Sequence, residues 1–139
     1  MAEKIPTRNR FTDFDLAFTR VGDDSPFAIG IKRDQNSIVQ AIKNLVLTTP
    51  GEKPFLPGFG GGITEFLFEN LTPEAVASLS TRLEYALSLY EPRVVFESVE
   101  IDESRMDSNN VILNLNYRLV GEPDGAQTRS AQIELIRGI

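Results

Sequence analysis

Residues 88–101 read SLYEPRVVFESVEI. A helical pattern runs into this stretch and a strand-like pattern comes out of it. Upstream, Val76, Leu79, Leu83, Ala86, Leu87 and Tyr90 recur at the spacing of one helix face. Pro92 cannot continue a helix interior, and the residue before a proline avoids the α region. The helix is therefore predicted over 73–90, ending at or near Tyr90. Downstream, Val99 and Ile101 alternate with Glu100 and Asp102. Helix becomes strand at a corner that carries an acid, Glu91, and a base, Arg93. Two readings of that pair stand at this point. It is an exposed helix stop, worth under about 1 kcal/mol as a surface ion pair. Or it is a rigid presentation of two charges, one of them a bidentate guanidinium, to a partner.

The residues that follow extend the sheet. NVILNLNYRLVG (110–121) alternates, with Val111, Leu113, Leu115, Tyr117 and Leu119 facing one way and Asn114, Asn116 and Arg118 the other. AQIELIRG (131–138) repeats the pattern with Ala131, Ile133 and Leu135. SRMDSNN and GEPDGA are turn-rich connectors. The prediction is a three-stranded antiparallel meander drawn from 97–137, with one dry and one wet face. Strand 111–119 is expected to bury Val111, Leu113, Leu115 and Leu119.

Upstream of the corner lie two more helices. Ile38, Ile42, Leu45 and Val46 form an apolar stripe over about 35–48, with Asp34 as a reasonable N-cap and Pro50-Gly51 as the stop. KPFLPGFGGGITEFLFEN (53–70) packs two prolines and four glycines into 54–62. It reads as a shaped loop followed by a short helix, Ile63–Glu69. Thr72 and Pro73 supply the N-cap and first position of the long helix. Residues 1–26 are polar apart from an aromatic cluster at Phe11, Phe14 and Phe18, and read as an arm. A short strand is expected at Phe27–Ile31. The fold class is α+β: two main helices and a short helix packed on the meander. The single domain spans 27–139, preceded by an extended N-terminal arm over 1–26.

Charge and composition narrow the function. The 139 residues carry a formal net charge of −6, with a pI of about 4.7. An acidic chain lacks the cationic surface of sequence-independent nucleic-acid binding or a polybasic membrane anchor. No apolar run approaches the roughly 20 residues of a spanning helix. MAEKIPTRNRF has no apolar h-region, so no signal peptide is read there, and folding inside the cell fits. The chain has neither cysteine nor histidine. Disulfides, thiolate chemistry and the Ser-His-Asp and Cys-His catalytic arrangements are excluded.

What chemistry remains is thin. PGFGGG lacks the Gly-Lys-Ser/Thr of a phosphate loop, because Gly62 is followed by Ile63 and Thr64. It reads as a tight turn that lets backbones pack closely. Glycoside hydrolysis needs two carboxylates roughly 5–10 Å apart. Glu65, Glu69, Glu84 and Glu91 are candidates, but their spacing selects no pair. No acid-rich calcium loop appears. No motif calls for a cofactor or a metal.

The ordered set GEKPFLPGFGGGI, FLFENLTPEA, SLYEPRV and a β meander resembles the small baseplate wedge and sheath-initiator family of contractile-tailed phages and type VI secretion baseplates. The matching positions are Gly51, Pro54, Phe55, Pro57, Phe59 and Gly60 in the loop, Leu67, Phe68, Glu69 and Asn70 in the short helix, and Glu91, Pro92 and Arg93 at the corner. The match covers roughly residues 30–139 and departs from the family pattern at the extra Gly61-Gly62. The resemblance implies a structural, non-enzymatic protein with one copy in each of six wedges. It implies docking of Glu91, Pro92 and Arg93 on the helical core bundle of the wedge, and contact with tail sheath subunits and with central hub or tube-proximal proteins. The final strand, including Ile133, Glu134 and Leu135, or else the opposite edge of the meander, is then expected to accept sheath strands and template the first sheath ring. The implied location is the virion's tail baseplate, assembled in the host cytoplasm, or a cytoplasmic baseplate in a secretion system. Some such proteins are labelled lysozymes, so the competing reading is a peptidoglycan-cleaving enzyme using paired carboxylates.

Overall fold

The structure, a computed structural model, describes residues 12–14, 31–33, 35–68, 72–102, 110–122 and 127–136. The chain divides into two compact units, Met1–Gln40 and Ala41–Ile139. In the first, β1 (Thr12–Phe14) pairs antiparallel with β2 (Ile31–Arg33), and Gln40 Nε2 donates to the Phe14 carbonyl at 2.6 Å. Of the strand expected at Phe27–Ile31, Ile31 opens β2, and 27–30 lie outside the described residues. So do Phe11, Phe18 and Asp34.

Helix α1 (Gln35–Leu47) buries Ile38, Ile42, Leu45 and Val46, the predicted stripe. In the second unit a loop leads to α2 (Ile63–Phe66), which is shorter than the sequence pattern suggests. Glu69 and Asn70 lie outside the described residues. Helix α3 (Pro73–Tyr90) starts as its residues require. Thr72 Oγ1 accepts from the Ala75 N–H at 3.2 Å, and Pro73 sits where a missing N–H costs nothing. Its Leu79, Leu83, Ala86 and Leu87 are buried.

β3 (Val94–Asp102), β4 (Asn110–Leu119) and β5 (Arg129–Ile136) form an antiparallel sheet in the order β3-β4-β5, so the fold is α+β. Helix α3 packs on β3 and α2 on α3. The dry face collects Val94, Val111, Leu113, Leu115, Tyr117, Ala131, Ile133 and Leu135. Burying a side chain of this size stabilises the fold by about 1.5–3 kcal/mol.

Three details differ from the sequence expectation, each for a local reason. β3 starts at Val94, not 97, because a bulge at Glu97 interrupts its period of two. The bulge keeps Val94 and Phe96 on the same face as Val99 and Ile101, opposite Leu119, Tyr117, Leu115 and Leu113. Leu119 is only half-buried, since it pairs with the first residue of β3 at the sheet's end, whereas Tyr117 is fully buried. Ile112, on the polar face, is buried as well, and lines a shallow hollow with Lys43, Gln132 and Glu134. Several other side chains on that face bond across strands. Asn116 Nδ2 donates to Ser98 Oγ at 3.0 Å, Thr128 Oγ1 to Glu97 Oε2 at 2.7 Å, and Arg118 pairs with Glu97. Burial pushes the Tyr117 phenol above its ordinary range, and the nearby Arg129 charge opposes that shift.

Candidate functional site

The corner that joins α3 to β3 is built from side chains that bind each other. The Glu91 N–H donates to the Leu87 carbonyl at 2.9 Å and closes the helix. Pro92 is exposed at the apex. The chain then turns through a Val94 N–H to Glu91 carbonyl bond of 3.3 Å and enters β3. Both carboxylate oxygens of Glu91 accept from Arg93: Oε1 from Nε, and Oε2 from Nη2 at 2.8 Å. Glu91 is only 6% exposed. The Arg93 side chain is about a quarter exposed. The Arg93 carbonyl accepts from the Val120 N–H at 2.9 Å, tying the corner to the end of β4.

This geometry revises the sequence expectation. Glu91 and Arg93 form a bidentate pair with each other within the fold. What the corner presents outward is apolar as well as charged. Val95 and Val120, each a little under half exposed, flank Arg93 on its face of the sheet, beside the exposed Pro92.

The loop before α2 is held against the same corner. Phe59 stacks edge-on against Tyr90, the residue preceding Glu91, with ring centroids 5.1 Å apart. The glycines perform the role read from the sequence, close backbone packing. A Cβ on Gly60, at φ +137, would lie 2.3 Å from the Thr48 carbonyl oxygen. One on Gly61 would press on Leu83 and on the Val46 backbone, so this segment seats α1 against α3. Gly51, Pro54, Phe55, Pro57, Phe59 and Gly60 thus share one hydrogen-bonded loop, in which the Gly51 N–H donates to the Pro57 carbonyl at 2.8 Å. Sequence reasoning missed the valines beside Arg93. Their only signal is the consecutive Val94-Val95, in which one side chain must face away from the core.

The remaining predicted positions lie on β5. Ile133 and Leu135 point into the core, and Glu134 is exposed. Only the backbone of Ile133 and Leu135 is left for a strand added outside. β5 pairs with β4 on one side and, among the described residues, with nothing on the other. The candidate acids do not form a set. Glu65 is exposed and lies 3.6 Å from Arg82, Glu84 is exposed on α3, Glu91 is bound to Arg93, and Glu69 lies outside the described residues. Among the described residues no cluster of three acids is placed to hold a metal ion.

Comparison with known proteins adds to this geometry. A model of the family described as "Baseplate wedge protein gp25" matches residues 32–124. The baseplate wedge protein gp25 of Enterobacteria phage T4 is 26% identical over 106 residues, 76% of this chain and 76% of that protein. A "putative tail lysozyme" from Geobacter sulfurreducens superposes with a TM-score of 0.61 at 20% identity, covering 74% of this chain and 90% of that one. A chain of the six-fold symmetrised anti-feeding prophage baseplate superposes with a TM-score of 0.57 at 21% identity, covering 93% and 87%. At these identities the two structural likenesses are likenesses of fold.

A buried carboxylate whose partner is deleted is left unpaired. Arg93→Ala is therefore expected to lower stability by about 2–3 kcal/mol, between the cost for an exposed pair and for a fully buried one. Arg93→Lys recovers part of this, because an ammonium cannot reproduce the two-pronged contact. Thermal melting of the three proteins checks both. Identical melting temperatures would show that the pair contributes nothing to the fold.

Proposed function

The chain belongs to the baseplate wedge gp25 family, and from that premise we propose that it is a structural protein of a contractile tail baseplate that docks on the helical core of the wedge through Glu91, Pro92 and Arg93. The observation that carries this reading is the corner itself. Internal pairing satisfies the charges and fixes the apex, and exposed Pro92, Val95 and Val120 surround it. An apolar patch with a charged centre on a rigid turn suits a protein interface, because little freedom is lost when it binds.

The same reading gives β5 to the sheath. A free sheet edge invites strand addition through its backbone groups. β3 is the poorer acceptor, since its bulge at Glu97 breaks the regular ladder. β5 runs eight residues without bulge or proline. An extended arm of a sheath subunit paired there templates the first sheath ring. One copy per wedge, six per baseplate, follows from the wedge reading, as does contact with the hub or tube-proximal proteins. The place of action is the tail baseplate of a phage or a related tail machine, assembled in the cytoplasm of the cell that makes it.

The protein acts by assembly and not by hydrolysis. Glu91, the most buried of the candidate acids among the described residues, has both oxygens engaged by Arg93, which leaves neither poised as a general acid or a nucleophile. Purified protein is expected to release no sugar from peptidoglycan above a buffer blank. Turnover abolished by a single Glu→Gln change would restore the enzymatic reading.

Docking is tested at Val120. This residue lies beside the corner and outside the core, so Val120→Glu is expected to change stability by about 0.5 kcal/mol or less. It places a charge in the apolar patch, and co-purification with the wedge core proteins is expected to fall at least tenfold. A normally folded variant that still co-purifies in full would remove the corner from the interface.

The sheath reading is tested by amide hydrogen exchange. In the isolated protein every second amide of β5 points away from β4 and is expected to exchange quickly. Adding sheath subunits is expected to protect those amides. Exchange that stays fast, in a mixture where sheath and this protein do associate, would assign the strand exchange elsewhere.

A further inference from the structure

The loop over residues 51–59 contains a feature that neither the corner nor the sheet edge explains. Phe55 is fully exposed (100%) and is the one non-glycine residue at positive φ among the described residues, with φ +65. A bulky side chain in the left-handed region is uncommon, and the conformation is strained. Here no packing within the described fold offsets the strain, since the ring is fully in solvent. Yet the loop is not slack. The Gly51 N–H donates to Pro57 at 2.8 Å, Glu52 to Thr49 at 3.0 Å, and Phe59 to Leu56 at 3.0 Å. The Glu52 carboxylate accepts from the Thr49 N–H at 3.0 Å. Pro54 and Pro57 stiffen the turn on either side of Phe55, and Phe59 fastens it to Tyr90. A strained, rigid, fully exposed aromatic is a reason to look for function.

We propose that Phe55 is a docking anchor that inserts into an apolar pocket on a neighbouring baseplate protein. This rests on the reading of the chain as an assembly component and not on the corner. A preset aromatic ring brings a large apolar area to an interface at little entropic cost. Leu56, partly exposed beside it, widens the apolar tip. The tip carries one charge of each sign: Glu52 accepts from the Thr49 N–H, and Lys53 is exposed with Nζ 4.2 Å from the Phe59 ring centroid. The loop meets Tyr90 directly before the corner, so anchor and corner are held on one support.

Phe55→Gly in the full chain separates anchor from fold. Glycine accepts positive φ, so the melting temperature is expected to stay level or rise. Incorporation into purified baseplates is expected to fall about 30-fold, as for loss of one hot-spot side chain. Photoreactive p-benzoyl-phenylalanine at position 55, irradiated in assembled baseplates, is expected to crosslink to another baseplate protein. A crosslink between two copies of this chain, or none at all, overturns the proposal. Run beside Val120→Glu, the variants also discriminate. If Phe55→Gly is incorporated normally while Val120→Glu is excluded, the anchor falls and the corner stands. The reverse result removes the corner and keeps the anchor.

Discussion

The bidentate pair between Glu91 and Arg93 is the contact on which the rest of this structure turns. It spans a single proline, yet it joins elements of different kinds. Glu91 ends α3 through its N–H, and Arg93 opens the path into β3 while its carbonyl receives the Val120 N–H from the end of β4. Tyr90, one residue upstream, carries the 51–59 loop. Helix, loop and sheet therefore meet within four consecutive residues. A buried ion pair is not by itself strong evidence of stability, because desolvation offsets much of its attraction. Its value here lies in direction. With both carboxylate oxygens engaged, the turn has one favoured geometry, and the exposed groups around it are held in fixed places.

That rigidity links structure to assembly. A family member in a baseplate needs surfaces that neighbours recognise, and a small domain has few places to keep them stiff. Three are proposed among the described residues of the Ala41–Ile139 unit: the corner apex with Pro92, Val95 and Val120, the loop tip with Phe55, and the outer edge of β5. The first two project side chains from turns locked by hydrogen bonds. The third offers backbone groups from a strand whose Ile133 and Leu135 are anchored in the core. Each surface is paired with a device that satisfies the interior behind it.

Much of this was legible in the sequence. The helix over 73–90 and the stripe at Ile38, Ile42, Leu45 and Val46 follow from apolar spacing, and the break at Pro92 from the ring of proline itself. The motif order carried the family, which no single motif does. What stayed hidden depended on tertiary partners. A bulge at Glu97 cannot be read from alternation, because the extra residue appears only against β4. Whether Glu91 and Arg93 reach outward or toward each other depends on side-chain placement across Pro92, which residue types leave open. The positive φ of Phe55 was invisible for the same reason, since nothing in Pro-Phe-Leu-Pro announces a left-handed residue. The hairpin of β1 and β2 rests on three-residue strands, too short for a periodic signal.

The corner is proposed to be rigid on its own and to become buried on assembly. A density map of the assembled baseplate tests both halves at once. It is predicted to show Pro92, Val95 and Val120 covered by a helical neighbour, with the Glu91–Arg93 pair still closed between them. A map in which the corner faces solvent, or in which the pair has opened so that each charge meets a separate partner group, would contradict it.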